Sequence, residues 1–297
     1  MAITTSRALV IGALGLILSA CDSDNDESYI NDVSISLQET GDEWISGFAD
    51  YPVGSEQDWQ LTDTANTEFQ LIDGTLTSGY FLHSVNHSDD IKMYVATKID
   101  RLKPDTLYDV SINFDLATNV NDQCVGIGGA PHAVTVKAAL TTSQPSVYVD
   151  EQEHYRLNLD VGNQTQSGLD GQALGHIGLS SLDDCDPASV LYGMKSFDNK
   201  QNHFEVYTDY KGELWLTLLT DSGFEGATSI YFSHVSLNFQ ESSKSSDGFS
   251  EKIDFSTEQA DVDTVFFDYP QNREEEWQLT SLPLTQVTLN DGSSAIG

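Results

Sequence analysis

The sequence predicts an all-β protein, an antiparallel β-sandwich. Between residues 33 and 239 the apolar residues recur with a period of two, and the segments that carry them are bounded by Gly, Asp, Asn or Pro. No stretch has the 3.6-residue spacing of an amphipathic helix. With 39% hydrophobic residues, 13 Phe and 12 Tyr, the chain has the material for a real core. About ten strands in roughly 200 residues suit a single sandwich.

In chain order the predicted strands are Val33 to Leu37, Glu68 to Ile72, Tyr80 to Val85, Ile91 to Ile99 and Leu107 to Leu116. They continue with Ala133 to Leu140, Tyr155 to Asp160, His203 to Thr208, Glu213 to Leu219 and Thr228 to Phe239. In each, alternate residues are apolar and would face the core, as the two-residue repeat of a strand requires.

Residues 1–20 follow a different logic. A polar start with one cation, Arg7, gives way to an apolar and small-residue block from Ala8 to Ala20, and then to Cys21-Asp22-Ser23-Asp24-Asn25-Asp26-Glu27. This is the layout of a secretory signal, and its block of about 13 residues is short of the ~20 that a helix needs to cross hydrocarbon. Leu18-Ser19-Ala20-Cys21 resembles the bacterial lipobox. The resemblance implies that Cys21 is lipidated through its nucleophilic sulfur and becomes the mature N-terminus, anchoring a periplasm-facing protein to the cell membrane. Asp22 resembles the residue that keeps enterobacterial lipoproteins in the inner membrane. An ordinary cleaved signal beside an incidental Cys is the alternative.

Removal of residues 1–20 leaves 12 Lys and Arg against 47 Asp and Glu, a formal charge of −35. Such a surface repels nucleic acid and anionic headgroups, so nucleic acid is excluded as a partner. With Cys21 assigned to lipid, Cys124 and Cys185 remain, 61 positions apart, and an oxidising compartment favours a disulfide between them. Two free thiols, or soft metal ligands, are the alternative.

Residues 21–31 are acidic and aperiodic and read as a tether. The sandwich is expected over 32–240, a Ser-rich linker over 241–250, and a partial second copy of the domain start over 251–297. The copy rests on a repeat: Phe48-Ala-Asp-Tyr-Pro-Val-Gly-Ser-Glu-Gln-Asp-Trp-Gln-Leu-Thr62 returns as Phe266-Phe-Asp-Tyr-Pro-Gln-Asn-Arg-Glu-Glu-Glu-Trp-Gln-Leu-Thr280, with nine identities in 15 positions. The register continues through Asp73-Gly74 with Asp291-Gly292 to Gly79 with Gly297.

Leu102-Lys-Pro-Asp-Thr-Leu-Tyr-Asp-Val-Ser-Ile-Asn-Phe114 resembles the turn and strand that open a core strand in carbohydrate-binding-module-like jelly rolls, also termed galactose-binding-like, and in fibronectin type III domains. The span favours the jelly roll, since a type III domain is about half as long. Thr228 to Phe239 resembles that fold's closing strand. Together with Asn86 to Asp90, Cys124 to Gly129 and Thr220 to Gly226, these segments resemble an uncharacterised family of bacterial lipoproteins. The family implies a fold and no activity.

Asn86, Asp89 and Asp90 share one predicted loop, and Asp221 and Glu225 another, so rim loops rich in oxygen would converge on a structural calcium ion. Two unrelated acidic turns are the competing reading. No other cofactor is expected. His83 and His87 stand four apart on a strand and loop, which does not give zinc-ligand geometry. Asp183, Asp184 and Asp186 sit in one loop and do not set the two-sided geometry of a glycosidase. Gly126 to Gly129 lacks the strand, helix and downstream acid of a dinucleotide site. Trp215 fits a core position, and Trp59 with its repeat partner Trp277 fits a packing anchor or a binding aromatic.

These residues describe a membrane-anchored, non-catalytic module that binds a carbohydrate or other envelope ligand. The alternative is a structural or assembly lipoprotein working through protein contacts. No readable catalytic set supports an enzyme.

Overall fold

The computed structural model describes residues 29–37, 44–87, 90–126, 129–182, 185 and 190–242, together with the backbone of 286–288 and 294–296. The signal and lipobox with Cys21 and Asp22, Asp89, the acids Asp183, Asp184 and Asp186, and Trp277 lie outside the described residues.

The strands are β1 (Asp32–Ser36), β2 (Trp44–Ala49), β3 (Tyr51–Pro52), β4 (Thr62–Leu71), β5 (Leu76–Asn86), β6 (Lys92–Ile99), β7 (Leu107–Thr118) and β8 (Val134–Thr141). They continue with β9 (Val147–Val149), β10 (His154–Leu157), β11 (Gly171–His176), β12 (Leu191–Asp198), β13 (Phe204–Tyr207), β14 (Leu214–Ser222) and β15 (Gly226–Glu241), and two short ones, β16 (Gln286–Thr288) and β17 (Ser294–Ile296). Among the described residues there is no helix. The fold is a jelly-roll β-sandwich.

A seven-stranded sheet in the order β1-β15-β5-β4-β12-β7-β13, with β15 also paired to β7, packs on a five-stranded sheet in the order β11-β8-β14-β6-β2. The core between them includes Leu82, Val95, Val110, Phe114, Leu116, Val136, Leu216, Leu218 and Phe232, all fully buried or nearly so. Strand β15 reaches this core twice. Ile230 and Phe232 point inward, a bulge between Phe232 and His234 adds one residue, and Val235, Leu237 and Phe239 then point inward in turn. Without the bulge one half of the strand would show its apolar side to water.

The outer face of the five-stranded sheet is covered. A three-stranded sheet, β3-β10-β9, and the segment that follows lay Leu157, Leu159 and Val161 on Tyr94, Ala96, Ala139 and Leu219. Every residue of β8 is therefore buried. Asp50 lets the chain cross from β2 into the covering layer: its φ of 62° is left-handed, a conformation Asp tolerates, and its carboxylate pairs with Lys92 and Arg156. Tyr51, Trp59 and Ile91 close the corner.

The conserved half of the repeat maps onto this corner, because Asp50, Tyr51, Trp59 and Leu61 pack or ion-pair there while the varied positions Val53, Gly54, Gln57 and Asp58 are exposed. In the second copy, β16 and β17 pair Gln286 with Ile296, Val287 with Ala295 and Thr288 with Ser294. Shifted by the repeat offset of 218, these are the pairs Glu68 with Ser78, Phe69 with Thr77 and Gln70 with Leu76 of β4 and β5.

The sandwich reaches a little beyond the expected 32–240 at both ends. Ile30 N donates to Arg101 O and Phe239 N to Asn31 O, so the last residues assigned to the tether already belong to the sandwich. At the other end β15 includes Glu241, and Ser242 N donates to Leu107 O.

Candidate functional site

The two sheets differ on their outer faces. Beneath the covering layer of the five-stranded sheet, Asp221 and Lys137 are completely buried and 2.9 Å apart, with Lys92 a further 3.5 Å contact of the same carboxylate. Burial works against the charge on Lys92, but Asp221 and Asp50 outweigh it and its pKa is raised. Lys137 is pulled down by burial despite Asp221.

Two of the residues expected at a shared calcium ion, Asp90 and Asp221, do come within electrostatic reach of each other, together with Asp50, around Lys92. Burial raises the Asp90 pKa. Asn86 and Glu225 take separate roles: the Asn86 amide donates to Ser222 Oγ and to the Phe224 carbonyl, and Glu225 lines a cleft described below. Among the described residues no three His, Cys, Asp or Glu side chains gather as metal ligands. The positive charge beside Asp90 and Asp221 comes from Lys92 and Lys137.

The outer face of the seven-stranded sheet has three zones. In the middle, the end of β4, still paired to β5 through Gln70 and Leu76, also pairs in parallel with β12, Leu191 with Gln70 and Tyr192 with Leu71, although β15 and β7 lie between β5 and β12. The β4–β5 tip therefore crosses over the outer face. Beneath it Phe69 stacks on Tyr231 at 4.2 Å, and Tyr192 meets Tyr231 edge-on at 4.9 Å. Burial raises the Tyr192 hydroxyl pKa, followed by the influence of Tyr231. These rings form a small second core.

On one side of the crossing lies an open ladder. The outward residues of β15 are His234, Ser236, Asn238 and Gln240, and across the register stand Asp115, Asn113, Ser111 and Asp109 of β7, with Ser34 and Asp32 of β1. Ser196, Asp198 and Glu205 extend the rows on β12 and β13. All are short or medium polar side chains, half-buried to exposed, on a rigid sheet. Their carboxylates are held by neighbours: Asn238 donates to Asp32, Ser196 to Asp115, Lys200 to Asp198, and His203 pairs with Asp109. Tyr207 stands at the far end of the ladder with half its surface exposed. A shallow groove of about 480 Å³ runs along Asp32, Ser34, Ser111, Asn113, Ser236 and Asn238.

On the other side of the crossing, strands β5, β7, β12 and β15 end beneath a loop held by the disulfide Cys124–Cys185, whose Cα atoms are 5.7 Å apart. A cleft of about 340 Å³ opens there, floored by His83, Ala227 and Ser229 and walled by Asn121, Val125, Cys185, Phe224 and Glu225. His83 Nδ1 is 2.8 Å from Ser229 Oγ, and burial lowers the His83 pKa.

The described tryptophans did not mark the site: Trp44 packs against the sandwich core. Trp59 is buried beside Tyr51, and Trp215 packs against the cluster under the covering layer. The ladder was legible only as the polar half of alternating strands, which in sequence looks like any solvated face.

No protein-family model matches the chain, and no curated protein matches it. Solved structures similar in fold include TmCBM27, a carbohydrate-binding module described for specific mannan recognition, at 10% identity and a TM-score of 0.31, covering 72% of this chain and 99% of that one. The family 11 carbohydrate-binding module of a Clostridium thermocellum cellulosomal cellulase is similar at 7% identity and a TM-score of 0.34, covering 72% and 97%. The enzymatically active domain of bacteriophage CBA120 tailspike protein 4 is similar at 11% identity and a TM-score of 0.27; the match covers 65% of this chain and spans only 19% of that protein.

Proposed function

We propose that this protein is a membrane-anchored, non-catalytic carbohydrate-binding module that lays an extended, uncharged polysaccharide along the open ladder of the seven-stranded sheet. One observation carries the reading: this ladder zone of the outer face is left uncovered by the described residues and is built from Ser, Asn, His and Asp side chains whose spacing is set by strand pairing. Such groups meet sugar hydroxyls with donors and acceptors already in place, and Tyr207 offers a ring for a sugar's apolar face. From His234 to Gln240 the strand extends roughly 20 Å, room for a few sugar units. The carboxylates of Asp32, Asp109, Asp115 and Asp198 are engaged by neighbours rather than poised as a pair across a bond, which supports binding without hydrolysis.

The acidic surface disfavours uronic or sulfated chains. Lipidation at Cys21 would place the module at the cell surface or envelope, where polysaccharide is met; Cys21→Ala should release it from membranes. The binding itself is tested by immobilising the full chain and probing it with neutral glucan, mannan, xylan and galactan beside alginate and a sulfated galactan. Retention of at least one neutral polymer with none of the anionic ones is expected. Retention of only the anionic polymers, or of none, would refute the proposal.

A further inference from the structure

Beside the crossing hairpin, the cleft has the chemistry of a second and separate ligand site, and we infer that it takes the terminal ring of an uncharged glycan. The inference rests on the carbohydrate-binding reading of the ladder but uses different residues. The β4–β5 tip, pinned to β12 by the Ile72 N to Tyr192 O bond at 2.9 Å, stands between the two zones, so a chain lying on the ladder cannot continue into the cleft.

Size and polarity set the occupant. A volume of about 340 Å³ is at the low end of small-molecule sites and admits roughly one or two sugar rings. Disulfide Cys124–Cys185 ties the loop that walls it, and the β4–β5 tip blocks the side toward the ladder, so a chain coming from that side is stopped and an end is what the cleft receives. Phe224 supplies an apolar wall. Its ring is wedged between Gly126 and Gly226, where an added Cβ would come within 2.6 Å and 2.5 Å of it, so both glycines are needed for the ring to sit there. Val125, with 91% of its surface exposed, extends the apolar wall at the rim. Opposite these, the bonded pair His83 and Ser229 with Glu225 gives hydroxyl partners, and the Glu225 carboxylate repels an acidic terminal sugar.

The geometry separates the two sites by mutation. With the full chain, neutral tetrasaccharides of glucose, mannose, xylose and galactose are titrated beside their parent polymers, using wild type, Glu225→Trp to fill the cleft, and Ser236→Arg with Asn113→Arg to block the ladder. A matching tetrasaccharide should displace more than tenfold better than its polymer at equal mass, because it carries more ends. Glu225→Trp should remove that advantage, and the ladder variant should keep it. Equal displacement by tetrasaccharide and polymer, or loss of tetrasaccharide binding in the ladder variant alone, overturns the cleft assignment while leaving the ladder reading intact. Binding of no glycan by wild type overturns both.

Discussion

Lys137 Nζ lies 2.9 Å from Asp221 Oδ2, and neither side chain has any solvent-exposed surface. The remaining donor capacity of Lys137 goes to the Val161 and Gln166 carbonyls, and Gln164 N also donates to Asp221. Gly162 makes this loop possible: at φ +71° a Cβ there would sit 2.3 Å from Gln166 O. Removing one partner of a buried pair strands the other's charge. Asp221→Asn is therefore expected to cost about 3–5 kcal/mol, whereas Lys137→Met with Asp221→Leu, which removes both charges of the pair and leaves Lys92 to Asp50, should cost less. Denaturant unfolding of wild type and the two variants checks this; equal losses in single and double variants would contradict it.

Strand β14 also shows how much of the chain was legible. The alternation Leu214 to Leu219 marked the strand, but it runs on to Ser222, so Asp221 is a strand residue under a covering layer rather than a loop residue. That layer is invisible locally: β9, three residues long, was not predicted, and β10, four residues long, was read as part of a sandwich strand, Tyr155 to Asp160. Strands β11 and β12 were missed because Gly175 and Lys195 interrupt their patterns, Lys195 being tied to the His176 and Gly178 carbonyls. By contrast β7 and β15, with clean period two, were found. The Ser233 bulge in β15 was not, since its effect is on which face each half presents.

Linking Cys124 to Cys185 closes a long loop and holds the cleft wall, so its loss should be felt twice. Cys124→Ala with Cys185→Ala is expected to lower stability by about 2–5 kcal/mol. Mass spectrometry of the unreduced protein should find neither thiol open to alkylation. Free alkylation of both in folded protein would contradict the bond.

The histidines give a pH dependence with a definite sign. Burial lowers His83 below its ordinary 6.5, and burial followed by Lys195 and His132 lowers His176. A group whose folded pKa is depressed stabilises fully above its unfolded value and loses that contribution as pH falls through the folded one. Melting temperature should therefore be flat above pH 7 and decline between about pH 6.5 and 5. Asp90, raised by burial, acts in the opposite direction at lower pH. In His83→Gln the decline should shrink by roughly half; an unchanged profile would exclude His83 as a contributor.

Residues after Ser242 repeat the opening of the domain rather than complete it, as the matched registers of β16–β17 and β4–β5 indicate. Truncation after Ser242 should accordingly leave the melting temperature within about 2 °C. A fall of more than about 5 °C, on the order of 1–2 kcal/mol for a domain of this size, would make the C-terminal segment part of the first fold.

The open ladder is the centre of the functional account, and isothermal titration reaches it directly. Wild type and the Ser236→Arg, Asn113→Arg variant are titrated with whichever neutral polysaccharide the immobilised chain retains, alongside Gln152→Arg as a control on the covering layer. The account predicts binding heat for wild type and the control, and a loss of affinity of at least tenfold when the ladder is blocked. Equal affinity in the ladder variant would contradict it.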